Sequence, residues 1–357
     1  MGVGSRSGRP PSMIDVAARA GVSHQTVSRV INGFGKVAPD TRERVLQAID
    51  ELGYHRNSMA RALVTGRTEI LGLVTTTSVA YGPSSMLLAV ELAARRAGYF
   101  TGVAPVSGTS GNTVTAAVDH FLRLGAEGLV VFAPTEDIAR DLSALDVPVP
   151  VVAVTARRTT PRAGGVTPVS VDQHGGARAA VEHLIDLGHR DIAHVPGPAD
   201  WFEAQAREAA WRESLSEASL PARESSVRGW DAQTGYDAGA EMAREGAPTA
   251  VFAANDDIAL GLIHAFHDAG LRVPEDVSVV GFDDAPGTAF YLPRLTTVRQ
   301  DFSALGDQVV QTIVRAIRGD SRVEPVTVPA ELVVRASTAP PRFRDVGARG
   351  PHRPRRP

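Results

Sequence analysis

The feature that most constrains the fold is a segment near the N-terminus, MIDVAARAGVSHQTVSRVIN at residues 13–32. Its apolar residues follow helical spacing on both sides of Gly21, which interrupts the pattern. We expect one helical face to hold Ile14, Val16 and Ala17, and the apolar stripe of a second helix to hold Val27, Val30 and Ile31. Ala17 provides the small side chain that is needed at the point where the two helices would cross. The interval Ala17, Gly21, Val27 is therefore typical of a helix-turn-helix.

The second helix would present polar side chains on its outer face. Ser23 can cap its N-terminus by accepting a hydrogen bond from a backbone N–H group. We expect Ser23, His24, Gln25, Thr26, Ser28, Arg29 and Asn32 to contact DNA. These groups donate and accept hydrogen bonds, as base edges and phosphates require. An ordinary helical hairpin with a solvated polar face is the alternative.

The sequences ARAGVSHQTVSRVING and TRERVLQAIDELGYHRNSMARAL resemble the lactose-repressor family of bacterial transcription regulators. The resemblance runs from about residue 12 to about residue 338. It implies a hinge helix after the headpiece, paired with its dimer mate in the minor groove, with Asn57, Ala60 and Leu63 at the DNA. Leu63 would wedge between base pairs and bend the duplex. A linker leucine packed on the core is the alternative.

The charge distribution separates a basic head from an acidic body. Residues 1–67 hold ten Lys and Arg against five Asp and Glu, whereas residues 68–339 hold 21 against 34. This asymmetry fits a phosphate-binding module attached to a body that does not touch DNA. The chain has no cysteine and no apolar run of the roughly 20 residues that cross a bilayer. With no secretory signal recognisable at the N-terminus, we expect a cytoplasmic protein without a membrane partner.

From Glu69 onward, short apolar runs alternate with amphipathic stretches. The predicted strands are 70–74, 129–132, 151–154, 192–195, 249–253 and 277–282, and the predicted helices are 83–97, 112–124, 174–187, 203–218, 234–244 and 256–269. Such alternation indicates an α/β fold of doubly wound parallel sheets. The resemblance adds a two-lobed, periplasmic-binding-protein-like core in which the chain crosses between lobes three times.

The predicted organisation therefore has an all-α helix-turn-helix headpiece and a two-lobed α/β core. The boundaries are a disordered tail at 1–11, a headpiece at 12–56 with a third helix from about Pro39 to Leu52, a hinge at 57–67, a core at 68–339 and a disordered tail at 340–357. Within the core, the N-lobe would take 68–168 and 297–322, and the C-lobe 170–293 and 324–339.

Ligands of open α/β sheets bind beyond the carboxyl ends of the strands. The side chains expected there suit a polyol, because carboxylates, amides and Arg pair with hydroxyls and an aromatic ring stacks on a sugar. The resemblance assigns sugar binding to Arg207, Asn255 and Asp283, stacking to Trp230, and a further cleft position to Gln300. The first lobe departs from the family pattern, with Phe132 in place of an asparagine, while Thr75, Ser78 and Tyr81 remain as further candidates.

The sequence carries no GxSxG elbow, no Walker loop and no GxGxxG after a strand. His264 and His267 have metal-ligand spacing but lack an acidic or cysteine partner at a set distance. Asp283 and Asp284 are adjacent at a strand end, where neighbouring side chains point apart. We therefore expect neither catalysis nor a cofactor or metal ion.

These features predict a homodimeric regulator, most simply a repressor, that binds double-stranded operator DNA of near-palindromic sequence. A small sugar, such as a galactoside or glucoside, would control it from the cleft between the lobes. A purine corepressor in the same cleft is one alternative, although Trp230 favours a pyranose. A solute-binding protein for sugar uptake is another, but it would need export and no headpiece.

Overall fold

The structure is a computed structural model that describes residues 11–32, 35–54, 66–106, 112–157, 166–320 and 324–342. The chain divides into two units, Met1–Thr68 and Glu69–Pro357. The predicted hinge positions Asn57, Ala60 and Leu63 lie outside the described residues, as do residues 1–10 and 343–357. Among the helices that the structure describes, none combines the length and apolar character needed to cross a membrane.

The first unit contains three helices in its described residues: α1 (Met13–Ala20), α2 (His24–Asn32) and α3 (Pro39–Leu52). Helix α1 ends at Gly21, whose left-handed φ of 65° suits glycine and directs its N–H toward the carbonyl of Ala17. Helix α2 begins after Ser23, whose Oγ accepts a hydrogen bond from the N–H of Thr26 at 3.2 Å. The predicted turn and cap are thus confirmed.

For one residue of the headpiece, Ile14, the predicted position on the buried helix face is wrong. Ile14 is 68% exposed, whereas Val16 and Ala17 are buried. Successive residues of an α-helix are about 100° apart, so Ile14 and Val16 differ by about 200° around the axis. The buried core of this unit consists of Val16, Ala17, Ala20, Val27, Val30, Val45, Ala48 and Tyr54.

The second unit contains two six-stranded sheets. The first has the order β11-β5-β4-β3-β1-β2, and its strands are β1 (Ile70–Thr76), β2 (Phe100–Val106), β3 (Gly128–Phe132), β4 (Val151–Val154), β5 (Val166–Val171) and β11 (Val326–Val328). The second has the order β12-β10-β9-β8-β6-β7, and its strands are β6 (Ile192–Val195), β7 (Arg223–Glu224), β8 (Ala250–Ala253), β9 (Ser278–Asp283), β10 (Thr296–Gln300) and β12 (Ala330–Val333). All neighbouring strands pair parallel except β10 and β12.

Helices cover both faces of each sheet, as the alternating sequence predicts. They are α4 (Tyr81–Arg96), α5 (Asn112–Arg123), α6 (Glu136–Ala144), α7 (Gln173–Asp186), α8 (Phe202–Glu217), α9 (Ala232–Glu245), α10 (Asp256–Asp268) and α11 (Phe302–Ile317). Each sheet consequently has two apolar clusters, one on each face. Burial of this apolar surface is the main force that holds the layers together.

The chain passes between the two sheets three times in the described residues. The passages run from β5 to α7, from β10 to α11 and from β11 to β12. Because β5 and β11 lie in the first sheet and β10 in the second, all three passages lie a few residues beyond the boundaries near 168, 297 and 323 suggested by the sequence. The N–H of Asp172 donates to the carbonyl of Val328 at 2.8 Å, which ties the first passage to the third.

Helices α9 and α10 approach each other closely through two glycines. A Cβ atom on Gly261 would lie within 3.0 Å of the carbonyl oxygen of Ala232, and one on Gly235 would lie equally close to that of Ile258. Real Cβ atoms essentially never come so near backbone atoms. These two positions therefore require glycine for a steric reason, not for backbone freedom.

Candidate functional site

A cavity lies where the carboxyl ends of the two sheets face each other. Together with the open solvent at its mouth, it encloses about 630 Å³ of space not filled by protein atoms. The first lobe contributes mainly apolar walls, including Met86, Phe132, Pro134 and Val154, together with Thr75 and Thr76. The second lobe contributes the polar and aromatic side chains Gln173, Trp201, Glu203, Arg207, Trp230, Asn255, Asp283 and Gln300.

Four buried polar side chains form a connected network at the base of this cavity. Nε of Arg207 donates to Oε1 of Gln173 at 2.9 Å, and Nε2 of Gln173 donates to Oε1 of Gln300 at 2.7 Å. Nε2 of Gln300 donates to Oδ1 of Asp283 at 2.6 Å, and Nη2 of Arg207 lies 3.7 Å from the same oxygen. Paired buried charges with satisfied hydrogen bonds hold each other in place. The network therefore presents Arg207 and Asp283 to the cavity in fixed positions.

Asp283 adopts a backbone conformation that is unusual for a residue with a side chain. Its φ is 115°, and that of Asp284 is 53°. Such strain is concentrated at functional sites, where the surrounding structure maintains it. Burial raises the pKa of Asp283, although Arg207 and the hydrogen bond from Gln300 act in the opposite direction. Oδ2 of Asp283 takes no hydrogen bond within the described residues, so it is available to a ligand donor.

Asp284 points away from the cavity and is structural. It accepts hydrogen bonds from Nε of Arg299 at 2.7 Å, Nη2 of Arg335 at 2.5 Å and Oγ1 of Thr288 at 3.1 Å. Although burial opposes ionisation, the arginines hold the pKa of Asp284 below its usual range. The two adjacent aspartates thus face in different directions, as predicted, and do not form a carboxylate pair.

Two tryptophans form an aromatic corner of the cavity. The ring centroids of Trp201 and Trp230 are 5.5 Å apart and their planes make an angle of 70°. Gly197 allows Trp230 to lie against its backbone, because a Cβ there would collide with the ring. Asn255 fixes Trp230 from the other side, since its Nδ2 donates to the carbonyl of Trp230 at 2.8 Å. Its Oδ1 accepts from the N–H of Ile258 at 2.8 Å, which also caps α10.

The mouth of the cavity is bridged by contacts between the lobes. The N–H of Phe202 donates to the carbonyl of Pro134 at 2.7 Å, and Thr135 pairs with Trp201 as an antiparallel β-bridge. Next to this bridge, Glu203 lines the cavity. Its Oε2 and the Nε1 of Trp230 are buried without a hydrogen-bond partner. Burial raises the pKa of Glu203 to about 7, against the opposing effects of nearby backbone N–H groups and Arg207.

The structure brings together seven of the nine residues that the sequence suggested for the ligand. The seven that line the cavity are Thr75, Phe132, Arg207, Trp230, Asn255, Asp283 and Gln300. Tyr81 does not: its ring packs edge-on against Phe302 at 5.8 Å, because it stands on the face of α4 that covers the first sheet. Ser78 is likewise absent from the lining.

On the second-lobe side of the cavity, three residues were missed from the sequence: Gln173, Trp201 and Glu203. Gln173 begins α7 directly after a strand, at a passage between the lobes. Trp201 and Glu203 stand in the loop GPADWF and at the start of α8, a segment interpreted only for Arg207. Because β5 itself was not predicted, no sequence feature placed Gln173 at the end of a strand.

The predicted DNA face of α2 is exposed in the first unit. His24, Gln25 and Arg29 are exposed, and Thr26 and Ser28 are half-buried. Ser23 acts as the cap of α2, and Asn32 ends that helix. In the part of the chain that the structure describes, no group of His, Asp and Glu side chains has a metal-binding arrangement.

Comparisons with known proteins match both units. Residues 12–57 match the family described as bacterial regulatory proteins, lacI family, and residues 181–338 match the periplasmic binding protein-like domain. The chain is 34% identical to the lactose operon repressor of Escherichia coli K12, over 93% of this chain and 92% of that protein. It is also 34% identical to the transcriptional repressor PurR of Haemophilus influenzae strain PittEE, over 90% of this chain and 97% of that protein.

Solved structures agree with this similarity. A lac repressor dimer bound to operator and the anti-inducer ONPF aligns with a TM-score of 0.79 and 33% identity, covering 93% of this chain and all of that one. A complex of the transcriptional regulator CelR with cellobiose aligns with a TM-score of 0.66 and 31% identity, covering 92% of this chain and 99% of that one. Both lobes and the headpiece therefore have known counterparts.

Proposed function

Because this chain belongs to the lacI family of bacterial regulatory proteins and is a DNA-binding transcriptional repressor, we propose that a small neutral saccharide in the cleft controls its binding to operator DNA. The observation that carries this proposal is the convergence of Trp230, Arg207 and Asp283 on one cavity. An aromatic face beside a carboxylate and a guanidinium offers stacking and paired hydrogen bonds to adjacent hydroxyls.

A purine effector is the second candidate, because PurR repressors are among the relatives. Two observations favour the saccharide. Trp201 and Trp230 meet at 70°, so they do not form the parallel faces that would sandwich a flat base. The CelR relative, whose structure aligns with 92% of this chain, was solved in complex with cellobiose. The corner formed by the two tryptophan rings suits a puckered sugar. Such a sugar can stack its C–H groups on one tryptophan ring and present the hydroxyls at its own edge to polar side chains.

A homodimer accounts for the exposed apolar surface of the second unit. Leu88 and Leu92 on α4 and Phe100 and Val103 on β2 are exposed in the first lobe, and Leu260, Phe290 and Leu292 are exposed in the second. Apolar patches of this kind mark protein interfaces. The lac repressor relative was solved as a dimer on operator DNA. We therefore propose that two copies pair through both lobes.

The buried network suggests how a ligand acts on the lobes. Gln173 begins α7 after one passage between lobes, and Gln300 ends β10 before another. A ligand that pairs with Arg207 and Asp283 therefore binds to the same hydrogen-bond network that joins Gln173 to Gln300. Its effect on DNA binding must come from different affinities for two arrangements of the lobes.

The effector class is tested by operator binding in the presence of cellobiose, lactose and hypoxanthine. The operator is first selected from a random-sequence library with the wild-type protein, and fluorescence anisotropy then measures its affinity with each compound. We expect a saccharide to change the affinity and hypoxanthine to leave it unchanged. A response to hypoxanthine alone would assign the cleft to a purine.

DNA recognition by α2 is tested by Arg29→Ala. Arg29 is exposed on the outer face of that helix, where a bidentate contact to guanine contributes about 1–3 kcal/mol of discrimination. We expect operator affinity to fall by roughly 5- to 150-fold, with a much smaller loss on random DNA. Arg42→Ala removes the same charge from α3 and serves as the control. Equal losses of Arg29→Ala on operator and on random DNA would reduce Arg29 to a phosphate contact.

A further inference from the structure

Among the described residues that line the cavity, two have a buried side-chain atom without a hydrogen-bond partner: Oε2 of Glu203 and Nε1 of Trp230. Although Glu203 is only partly buried as a residue, its Oε2 is enclosed and accepts no hydrogen bond. A buried acceptor in this state costs free energy in the absence of a donor. Glu203 stands one helical turn before Arg207 on α8, next to the segment that bridges the lobes. A donor on a molecule in the cavity would remove the cost.

The charges around Glu203 limit which ligands fit. Among the described residues that line the cavity, Arg207 is the single cation, and Asp283 already faces it at 3.7 Å. A second carboxyl at Glu203 therefore gives the cavity an acidic balance. From the first lobe, Arg157 lies over the ring of Phe202 at 5.8 Å, but it pairs with Glu136 at 3.2 Å. An anionic ligand would meet repulsion from Asp283 and from the ionised form of Glu203.

We propose that Glu203 is a specificity-determining residue of the cleft, whose Oε2 accepts a hydrogen bond from a hydroxyl of a neutral saccharide seated against Trp230. The inference rests on the saccharide-controlled function proposed above. It adds that the cleft selects saccharides carrying a donor at this point and rejects their phosphorylated forms. Trp230 is placed to take part, since it lines the same cavity and its Nε1 is also buried without a partner.

Ionisation gives this contact a characteristic pH dependence. Because burial raises the pKa of Glu203 to about 7, a large fraction of the side chains is protonated at neutral pH. A hydroxyl donor favours the ionised carboxylate, so saccharide affinity should rise as the pH increases from 6 to 8. Asp283 also has a raised pKa and can contribute to the pH dependence of saccharide affinity. The contribution of Glu203 is the part of that pH dependence that is lost in Glu203→Gln.

The test is calorimetric titration of cellobiose, lactose and methyl β-D-glucopyranoside into the wild-type protein, Glu203→Gln and Glu203→Ala, at pH 6 and pH 8. For a saccharide that binds the wild type, we expect Glu203→Gln to bind about tenfold more weakly at pH 8 and with a smaller pH slope, since a charge-assisted hydrogen bond becomes a neutral one. Glu203→Ala should lose more. Glu213→Gln changes an exposed carboxyl of the same helix and should bind like the wild type.

Two further measurements keep the outcome decisive. Thermal unfolding at pH 8 should show Glu203→Gln to be at least as stable as the wild type, because burial opposes the ionisation of Glu203 more strongly than Arg207 and the nearby backbone N–H groups favour it. Weaker binding then cannot be ascribed to unfolding. Methyl β-D-glucopyranoside 6-phosphate should bind at least tenfold more weakly than its neutral parent. Tighter binding of the phosphorylated probe would overturn the proposed selectivity.

The possible failures are distinguishable. If a saccharide binds the wild type and Glu203→Gln with the same affinity and pH slope, the role of Glu203 is wrong while the proposed function stands. If no saccharide binds the wild type and hypoxanthine does, the proposed function fails and the role of Glu203 fails with it.

Discussion

Arg207→Ala is expected to abolish the response of operator binding to a saccharide while leaving ligand-free operator binding intact. Arg207 is buried, donates to Gln173 and to the carbonyl of Ala254, and faces Asp283 at 3.7 Å. A hydrogen bond to a charged group contributes about 1.5–3 kcal/mol, or roughly 10- to 150-fold in affinity. Removing Arg207 also leaves Asp283 buried without a cation, which raises its pKa further and disorders the network.

The measurement is anisotropy of labelled operator across a saccharide titration. Arg244→Ala, which removes an exposed arginine from α9 in the same lobe, is the matched control and should respond like the wild type. Arg207→Lys keeps the charge but loses the planar fork, so its response should be weakened as well. An Arg207→Ala protein that still responds at the wild-type midpoint would remove this residue from the ligand site.

Gly261→Ala is expected to cause a large loss of stability in the second unit. Its new methyl group would lie within 3.0 Å of the carbonyl oxygen of Ala232 and 2.6 Å from the backbone nitrogen of Tyr236. Backbone atoms cannot move aside as a flexible side chain does, so α9 and α10 must separate. Overpacking of this kind typically costs about 1–3 kcal/mol, and rigid backbone contacts place the effect at or above the upper end.

Thermal unfolding followed by circular dichroism measures the loss, with Gly82→Ala as the control. A Cβ at Gly82 meets no atom within 4 Å, so this substitution should be neutral or slightly stabilising. Gly235→Ala should resemble Gly261→Ala, and the double variant should lose less than the sum, because one separation of the helices relieves both clashes. A midpoint for Gly261→Ala equal to that of the wild type would mean that the two helices are not packed this closely.

The strands that the sequence predicts are those at the centre of each sheet. β1, β3 and β4 of the first sheet are continuous apolar runs because both of their faces are covered by helices. The edge strand β2 reads Phe-Thr-Gly-Val-Ala-Pro-Val and is fully buried only at its last residue, and β7 has only two residues. Neither has an apolar run, so neither was recognised. Strand β5 was missed because Pro168 and Ser170 interrupt its apolar residues.

The same distinction applies to the cleft. Arg207, Asn255 and Asp283 follow strands of one lobe, so their clustering could be predicted from the order of strands. Trp201 and Glu203 lie in the same segment after β6, which also touches Pro134 and Thr135 of the other lobe. Such a contact depends on how the two sheets face each other, and no periodicity within the chain encodes it. Tyr81 was predicted to line the cavity but does not. Its neighbours Ala80 and Gly82 line the cavity, whereas the ring of Tyr81 packs against Phe302.

Asn255 bonds both to the first turn of α10 and to the backbone that carries Trp230. Any substitution there alters helix stability and the stacking surface together. In descendants of this chain, ligand preference therefore has little freedom to drift on the second-lobe side of the cleft. Phe132 and Val154 make packing contacts in the first-lobe core. Exchanging either for another apolar side chain of similar volume should change the stability of the fold only slightly. Evolutionary change of effector should accordingly begin at the first-lobe wall, with the polar network inherited unchanged.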